Sequence, residues 1–320
     1  MFLLLLRLVA TTLHAMLMFG LAPLVMGVVG TLRARLLGRR GPPLLQPYFL
    51  LRKLSRKTAV VPDNATDLYP VWPFVAFAAM AVAALLVPGF CAGLLTASMS
   101  DFITFIGLVT LSRAAIVLAG LETGFGFGGA GAARDILFGV FAEAALLVVI
   151  LTFVLIAGSP TIDGVANFFR FGHVGIQVSI GFALASSFMV AVTETGRIPV
   201  DNPAGHLELA MVHEAMLLEY SGKNLALFEY AAMLRLIVWM SLIGTVFCPF
   251  GMGLAGNVLS WPGGLMLWLA KLAGLSVALS VFEIGTAKMR IFRVPEFLGV
   301  AILLGLLSAV FLFLAERIGG

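Results

Sequence analysis

Long apolar runs constrain this chain more than any other feature. Stretches of roughly twenty residues with few charges return along its whole length, each long enough to cross a bilayer core as a helix. They predict spans at about Phe2–Gly30, Val71–Leu95, Phe102–Leu121, Ile136–Gly158, Val174–Thr195, Phe228–Phe250, Pro262–Phe282 and Phe297–Ala315. The expected fold is therefore an all-α integral membrane protein of about eight transmembrane helices, one membrane domain over residues 1–320. A β-barrel would need alternating ten-residue segments, which are lacking here. Composition points the same way. At 61% hydrophobic, 11% charged and a mean hydropathy of +1.09, a soluble globular enzyme is excluded. The first run resembles a signal peptide, but it is too long, holds Arg7 and has no small-residue cleavage site. A retained first helix is expected.

Basic residues then set the orientation. The first loop, 31–70, holds Arg33, Arg35, Arg39, Arg40, Arg52, Lys53, Arg56 and Lys57. The third adds Arg134, the fifth Arg197 and Lys223, and the seventh Lys288, Arg290 and Arg293. Even loops and the tail offer only Arg170 and Arg317. Odd loops are expected in the cytoplasm and both termini on the opposite side of a cell inner membrane. Anionic lipid heads suit such loops, and nothing in the pattern asks for a nucleic acid. The run R-A-R-L-L-G-R-R-G-P-P-L-L-Q-P-Y asks for more than a charge tether, because Gly41, Pro42, Pro43 and Pro47 fix a turn-rich path. It reads as a docking surface for soluble partner subunits, with Arg35, Arg39, Arg40 and Gln46 in it.

Between the fifth and sixth spans, within a polar loop at 196–227, the acids crowd together. Glu194, Asp201, Glu208, Glu214 and Glu219 share the stretch from Glu194 to Gly222 with Arg197, His206 and His213. A short amphipathic helix over about Asn202–Ser221 is expected, capped by Asp201 and stopped by Ser221-Gly222. Glu208 and Glu219, eleven residues apart, would return to within about 20° of one face, and His206 and His213 would share another. A solvated interfacial helix accounts for part of this pattern. Buried carboxylates at the membrane edge would instead suit proton transfer.

Glu143 lies well inside the fourth span with no opposite charge near it in sequence. Ionisable groups at that depth are costly and usually kept for ion or proton traffic. Glu194 stands one turn before Arg197, which would allow a local pair. Glu283 ends the seventh span beside Lys288 and Arg290, where it could snorkel to the surface. Arg113, Glu229, Arg235 and Lys271 also fall in or near spans, so a connected polar path across the bundle is expected. Cys91 and Cys248 form no C-x-x-C pair, and the four His lack zinc spacing, so no metal or cofactor is expected on this chain. The run Glu122-Thr-Gly-Phe-Gly-Phe-Gly-Gly-Ala-Gly lacks the Lys-Ser/Thr ending of a phosphate loop and reads as flexible, closely packed backbone.

These motifs together resemble a known family. R-A-R-L-L-G-R-R-G-P-P-L-L-Q-P-Y at 33–48, Arg113 to Gly124 with its L-E-T-G ending, and G-A-A-R-D at 131–135 carry the likeness. So do the Glu143 span, E-T-G-R-I-P-V-D at 194–201, E-Y-S-G at 219–222 and F-E-I-G-T-A-K-M-R at 282–290. The chain is similar to subunit 1 of the NADH dehydrogenase of respiratory complex I. It is more similar still to the membrane subunit of energy-converting nickel–iron hydrogenases and formate hydrogenlyases. The resemblance implies a non-catalytic subunit that anchors a soluble redox arm to antiporter-like membrane subunits. It implies a proton or ion path through Glu143, Glu194, Asp201, Glu208, Glu214, Glu219 and Glu283. Docking would fall on the basic loop with Arg134, Arg197 and Arg290. The implied partners are hydrogenase-like large and small subunits and an iron–sulfur subunit, which would carry the nickel–iron and iron–sulfur centres. Complex I has a run of the form D-L-P-E-A-E-S-E-L where this chain has D-N-P-A-G-H-L-E-L. The acids replaced by Ala204 and His206 weaken the implied quinone site and full carboxylate path. R-R-G-P without the longer G-P-N-R-V-G-P form, and L-E-T-G followed by G-A-A-R-D, favour the hydrogenase branch over a quinone-chamber subunit. A stand-alone ion transporter is a further alternative, although no inverted repeat supports it.

Overall fold

A computed structural model of the protein describes residues 1–171, 178–198, 212–286 and 293–319. Its helices are α1 (Phe2–Leu36), α2 (Gln46–Ser55), α3 (Val71–Leu86), α4 (Phe102–Glu122), α5 (Gly126–Ala157), α6 (Ile162–Phe171), α7 (Val178–Glu194), α8 (His213–Met216), α9 (Gly222–Val246), α10 (Trp261–Gly285) and α11 (Val294–Gly319). Six of them are long and apolar enough to cross a membrane: α1, α4, α5, α9, α10 and α11. The apolar helices α3 and α7 have 16 and 17 residues. Among the described residues, sheet is reduced to two short strands, β1 (Cys91–Ala92) and β2 (Gly253–Leu254). They pair in parallel, Cys91 opposite Gly253 and Ala92 opposite Leu254.

Helix α9 is the axis. Every residue from Met233 to Val246 is buried, as expected of a helix apolar all round. Around it pack α1, α3 and α10, while α11 lies on α5 and α7. Small residues and hydroxyls let these helices close on one another, as membrane bundles require. Ser186 Oγ donates to the Ala301 carbonyl and Ser308 Oγ to that of Ser179, both at 2.7 Å, across α7 and α11. Phe105 meets Trp239 edge-on at 5.6 Å.

Helix α1 runs on to Leu36 and α9 starts six residues early, at Gly222; three larger differences from expectation have local reasons. Helix α3 stops at Leu86 instead of Leu95, because Pro88 forces Val87 out of the helical region (φ −81°, ψ 114°). Helix α5 starts ten residues early, at Gly126, so the glycine run is helical. The lost propensity is offset by contact: a Cβ at Gly128 would stand 2.5 Å from the Gly120 carbonyl oxygen, and one at Gly131 2.8 Å from that of Val212. That run is thus the close-packing surface on which α8 sits. The third difference concerns the polar helix expected over Asn202–Ser221. Its first half, with His206 and Glu208, and its cap Asp201 lie outside the described residues, as do His173, Lys288 and Arg290. Its described end is helical only over His213–Met216, followed by a turn. Ser221 and Gly222 close no helix. They open α9, with Ser221 extended at the N-cap.

The first loop folds back on the bundle. A Cβ at Gly27 of α1 would collide with the Leu44 carbonyl oxygen, and Thr31 Oγ1 donates to the Pro42 carbonyl at 3.0 Å. The Tyr48 hydroxyl donates to the Gly20 carbonyl. Proline and glycine fix the path of 41–47, and α2 continues it over α1 and α9.

Candidate functional site: an arginine among three carboxylates

On α5, Asp135, Gly139 and Glu143 are spaced four residues apart and so line one face. The Arg113 guanidinium, from α4, lies across the gap that Gly139 leaves. A Cβ there would be 2.6 Å from Arg113 Nη1. Arg113 Nε stands 3.7 Å from Asp135 Oδ2, and Nη1 3.9 Å from Glu143 Oε1. Its Nη2 makes the tightest contact, 2.5 Å to Glu194 Oε1 at the end of α7. Thr110 Oγ1 donates to Glu143 at 2.8 Å. A second arginine, Arg235 of α9, donates to Ser112 Oγ at 3.0 Å and to the Glu194 main-chain carbonyl at 3.4 Å. Arg113, Arg235, Asp135 and Glu194 are buried, and Glu143 is half-buried.

Buried charges are tolerated only when paired and hydrogen-bonded. Here three carboxylates converge on one guanidinium, with a second arginine close behind. Arg113 Nε and Nη1, Arg235 Nε and Glu194 Oε2 are buried without a hydrogen bond among the described residues. The group is over-supplied with charge and incompletely satisfied, a common mark of a functional centre.

Asp135 also faces α8. Its Oδ1 is 3.8 Å from His213 Nε2. That imidazole lies in a small cleft with Asp135, Phe138, Thr193, Gly196, Ile198 and Val212. Burial holds the His213 pKa below the usual histidine value; Asp135 pulls it up, while Arg235 and Arg113 push it down.

A second ionic site joins α1, α10 and the turn after α7. Arg197 Nη1 contacts Glu283 Oε1 at 3.1 Å, Arg33 Nη1 lies 3.6 Å from Glu283 Oε2, and Arg197 Nη2 touches Met26 Sδ at 2.5 Å. The expected local pair of Glu194 with Arg197 does not form. Glu194 turns to Arg113 and Arg197 to Glu283. Nor does Glu283 snorkel outward; it is buried between its two arginines.

The E-Y-S-G motif is stitched to the linker before α3. Tyr69 and Tyr220 stack in parallel at 4.2 Å, the Tyr69 hydroxyl donates to the Glu219 carbonyl at 2.8 Å, and the Val60 amide donates to Ser221 Oγ at 2.9 Å. Burial, with the nearby Glu219 charge, pushes the Tyr69 phenol up to about 12, and burial raises Tyr220 as well. Both stay neutral donors near neutral pH. Glu122 closes the same corner, accepting from Thr66 and, at 3.3 Å, from Trp72 Nε1.

Of the residues singled out in sequence, Glu143 and Glu194 join the Arg113 cluster and Glu283 the second site. Glu214 and Glu219 are exposed, and with a turn between them and no continuous helix, the one-face arithmetic for Glu219 does not hold. Arg35, Arg39, Arg40 and Gln46 are exposed on the first-loop surface, Arg134 is half-buried near the start of α5, and Arg197 is engaged with Glu283. Asp201, Glu208 and Arg290 lie outside the described residues. Lys271 stands apart, donating to the Phe250 carbonyl at 3.0 Å. Asp135 is a site residue that the sequence reading does not single out. The signal is present, four residues before Gly139 and eight before Glu143, but Asp135 falls just outside a span begun at Ile136. Ser112 carries no local signal, and Arg33 is legible only as one of the first-loop basic residues. Among the described residues no cluster of His, Cys, Asp and Glu could hold a metal ion.

Comparison with known proteins bears on this arrangement. Hydrogenase-4 component C of Escherichia coli (strain K12) is 32% identical over 298 residues, 93% of each chain. Formate hydrogenlyase subunit 4 of the same strain is 28% identical, covering 88% of this chain and 91% of that one. An NADH-quinone oxidoreductase subunit of Rickettsia canadensis (strain McKiel) is 28% identical over 207 residues, 61% of this chain and 60% of the relative. The fold is that of a chain in the membrane-bound sulfane sulfur reductase, an archaeal respiratory membrane complex. Its TM-score is 0.79 at 17% identity, over 97% of this chain and 99% of that one. The family model described as NADH dehydrogenase matches residues 8–315, which include every residue of the Arg113 and Glu283 sites. This multi-pass membrane protein belongs to the NADH dehydrogenase family.

Proposed function

We propose that this chain is the membrane-anchoring and ion-coupling subunit of a multi-subunit hydrogenase-type redox complex. The observation that carries the coupling role is the Arg113 cluster. With all its groups ionised, Asp135, Glu143 and Glu194 face Arg113 and Arg235, three negative charges against two positive. One added proton makes the set neutral, so a small change in proton count alters which carboxylate holds the guanidinium. Glu283 with Arg197 and Arg33 extends the polar series toward the α1 side, and Asp201, Glu208, Glu214 and Glu219 are its further members. The hydrogenase-4 and formate hydrogenlyase relatives, each matched over most of its length, support the hydrogenase branch.

In this reading all eight apolar segments cross a cell inner membrane, α3 and α7 as short crossings beside the six longer ones. The odd loops, with the Arg113 cluster's α8 end, face the cytoplasm, and both termini lie opposite. The exposed first-loop face formed by Arg35, Arg39, Arg40 and Gln46 receives the soluble arm, and Arg134, Arg197 and Arg290 are further docking residues in this reading. That arm consists of hydrogenase-like large and small subunits and an iron–sulfur subunit, and it carries the nickel–iron and iron–sulfur centres; this chain binds none. Antiporter-like subunits take up the ion movement. Catalysis proper occurs in the partners.

A quinone-chamber role is the runner-up, favoured by a cavity of about 200 Å³ between α1, residues 42–50 and α9, beside Glu229. It is below the size typical of ligand pockets. The test is Glu143→Gln in the assembled complex within membrane vesicles. Hydrogen evolution from reduced methyl viologen should persist while proton movement per hydrogen falls at least about tenfold. Normal proton movement, or a purified complex that oxidises NADH with quinone and evolves no hydrogen, would refute the proposal.

A further inference from the structure

We propose that His213 is the switch through which the aqueous side addresses the Arg113 cluster, by competing with Arg113 for Asp135. This rests on the coupling role proposed above. Asp135 is reached from two sides, by His213 Nε2 at 3.8 Å on Oδ1 and by Arg113 Nε at 3.7 Å on Oδ2. Neither distance is a closed hydrogen bond, so the carboxylate is committed to neither partner. The His213 side chain is 31% exposed, whereas those of Asp135 and Arg113 are 4% and 7% exposed. Of the three it is the least enclosed, although most of the ring is buried.

The remaining surroundings sharpen the assignment. The charged groups acting on the imidazole are Asp135 from α5, Arg113 from α4 and Arg235 from α9. Glu194 of α7 is occupied by Arg113, Glu214 on α8 itself is exposed, and the turn after α7 offers Gly196, where even a Cβ would lie 3.6 Å from the ring. The position of α8 is fixed by close approach, since Gly131 of α5 and Gly120 of α4 leave no room for a side chain beneath it. The backbone that carries the ring is therefore held in place beside Asp135.

The step is balanced by one proton. A proton from water in the cleft adds to the neutral imidazole at Nε2, giving an imidazolium that forms an ion pair with Asp135 Oδ1. Asp135 moves toward it and Arg113 loses one of three partners, leaving Glu143 and Glu194 to share the guanidinium. When the proton leaves, the contact relaxes and Arg113 regains Asp135. Burial keeps the ring neutral at neutral pH, so the switch engages on acidification below the ordinary histidine range or when a docked partner supplies the proton.

The test uses vesicles of the assembled complex, with proton movement per hydrogen evolved from reduced methyl viologen followed from about pH 5 to 8. Wild-type coupling should show an acid-side transition, approaching about tenfold per pH unit at its steepest. His213→Gln should flatten that transition with dye-driven hydrogen evolution unchanged, and added imidazole should restore it in His213→Gly. A Gln variant whose profile superimposes on wild type, or a Gly variant that imidazole leaves flat, overturns the switch. Glu143→Gln separates the two levels. If it uncouples the complex while His213→Gln keeps the wild-type profile, the switch fails and the coupling role stands.

Discussion

Among the described residues two arginine–carboxylate sites stand out, and they differ in what surrounds them. At the Arg113 site the guanidinium is 7% exposed and faces three acids on two helices, with a second arginine behind. At the Glu283 site one buried carboxylate is shared by two arginines, of which Arg33 is 53% exposed. The chemistry is the same, but the cost of breaking it is not. A buried pair that loses one member leaves an unpaired charge out of water, whereas a pair open to solvent is replaced by hydration. The enclosed site is the better suited to convert a proton into a rearrangement of packed helices, because Arg113, Asp135 and Glu194 are shielded from water. The open site is better suited to holding α1, α10 and the turn after α7 in register.

The largest effect should follow from removing the enclosed guanidinium. Arg113→Leu leaves Asp135, Glu143 and Glu194 facing one another, a loss of about 3–5 kcal/mol. The expected result is little or no assembled protein in the membrane, read by quantitative blotting against wild type. A variant that accumulates normally and unfolds at the wild-type temperature would erase the distinction between the two sites.

How much of this is legible in the sequence follows the same division. The spans and the charge asymmetry can be read because hydrophobic length and Lys/Arg placement are local properties. Glu143 stands out because a lone acid in an apolar run is conspicuous wherever it points. Its partner is not legible. Arg113 lies thirty residues earlier on another helix, and only the packing of α4 on α5 across Gly139 brings them together. Adjacency misleads where Glu194 and Arg197 sit one turn apart, since the helix ends at Glu194 and the turn sends Arg197 to Glu283. The glycine run hides Asp135 for a related reason. Its low helix propensity argues for a loop, but contacts with Gly120 and Val212 that sequence cannot show make it helical.

A smaller change sharpens the comparison without removing any charge. In Gly139→Ala the new methyl would meet Arg113 Nη1 at 2.6 Å, and a flexible guanidinium can give way. The protein should fold at a cost of about 1–3 kcal/mol, read as a lower unfolding temperature in detergent. Coupled proton movement should fall more than stability does, because Arg113 no longer bridges Asp135 and Glu143. If coupling is retained in full, the bridging geometry is not what the site uses.

The smallest effect is expected at the open site. Arg33 is the more exposed of the two arginines on Glu283, and at 3.6 Å it stands beyond hydrogen-bond distance. Arg197, at 3.1 Å, already holds Oε1, and Oε2 accepts no hydrogen bond among the described residues even with Arg33 in place. Arg33→Ala should therefore change stability by no more than about 1 kcal/mol, and that difference should vanish at high salt, where exposed charges are screened. Unfolding of the wild type and the variant at low salt and at about 1 M salt reads both terms. A larger loss that persists at high salt would place Arg33 inside the low-dielectric part of the molecule. The Glu283 site would then be a second enclosed centre, and proton-dependent rearrangement could no longer be assigned to the Arg113 cluster alone.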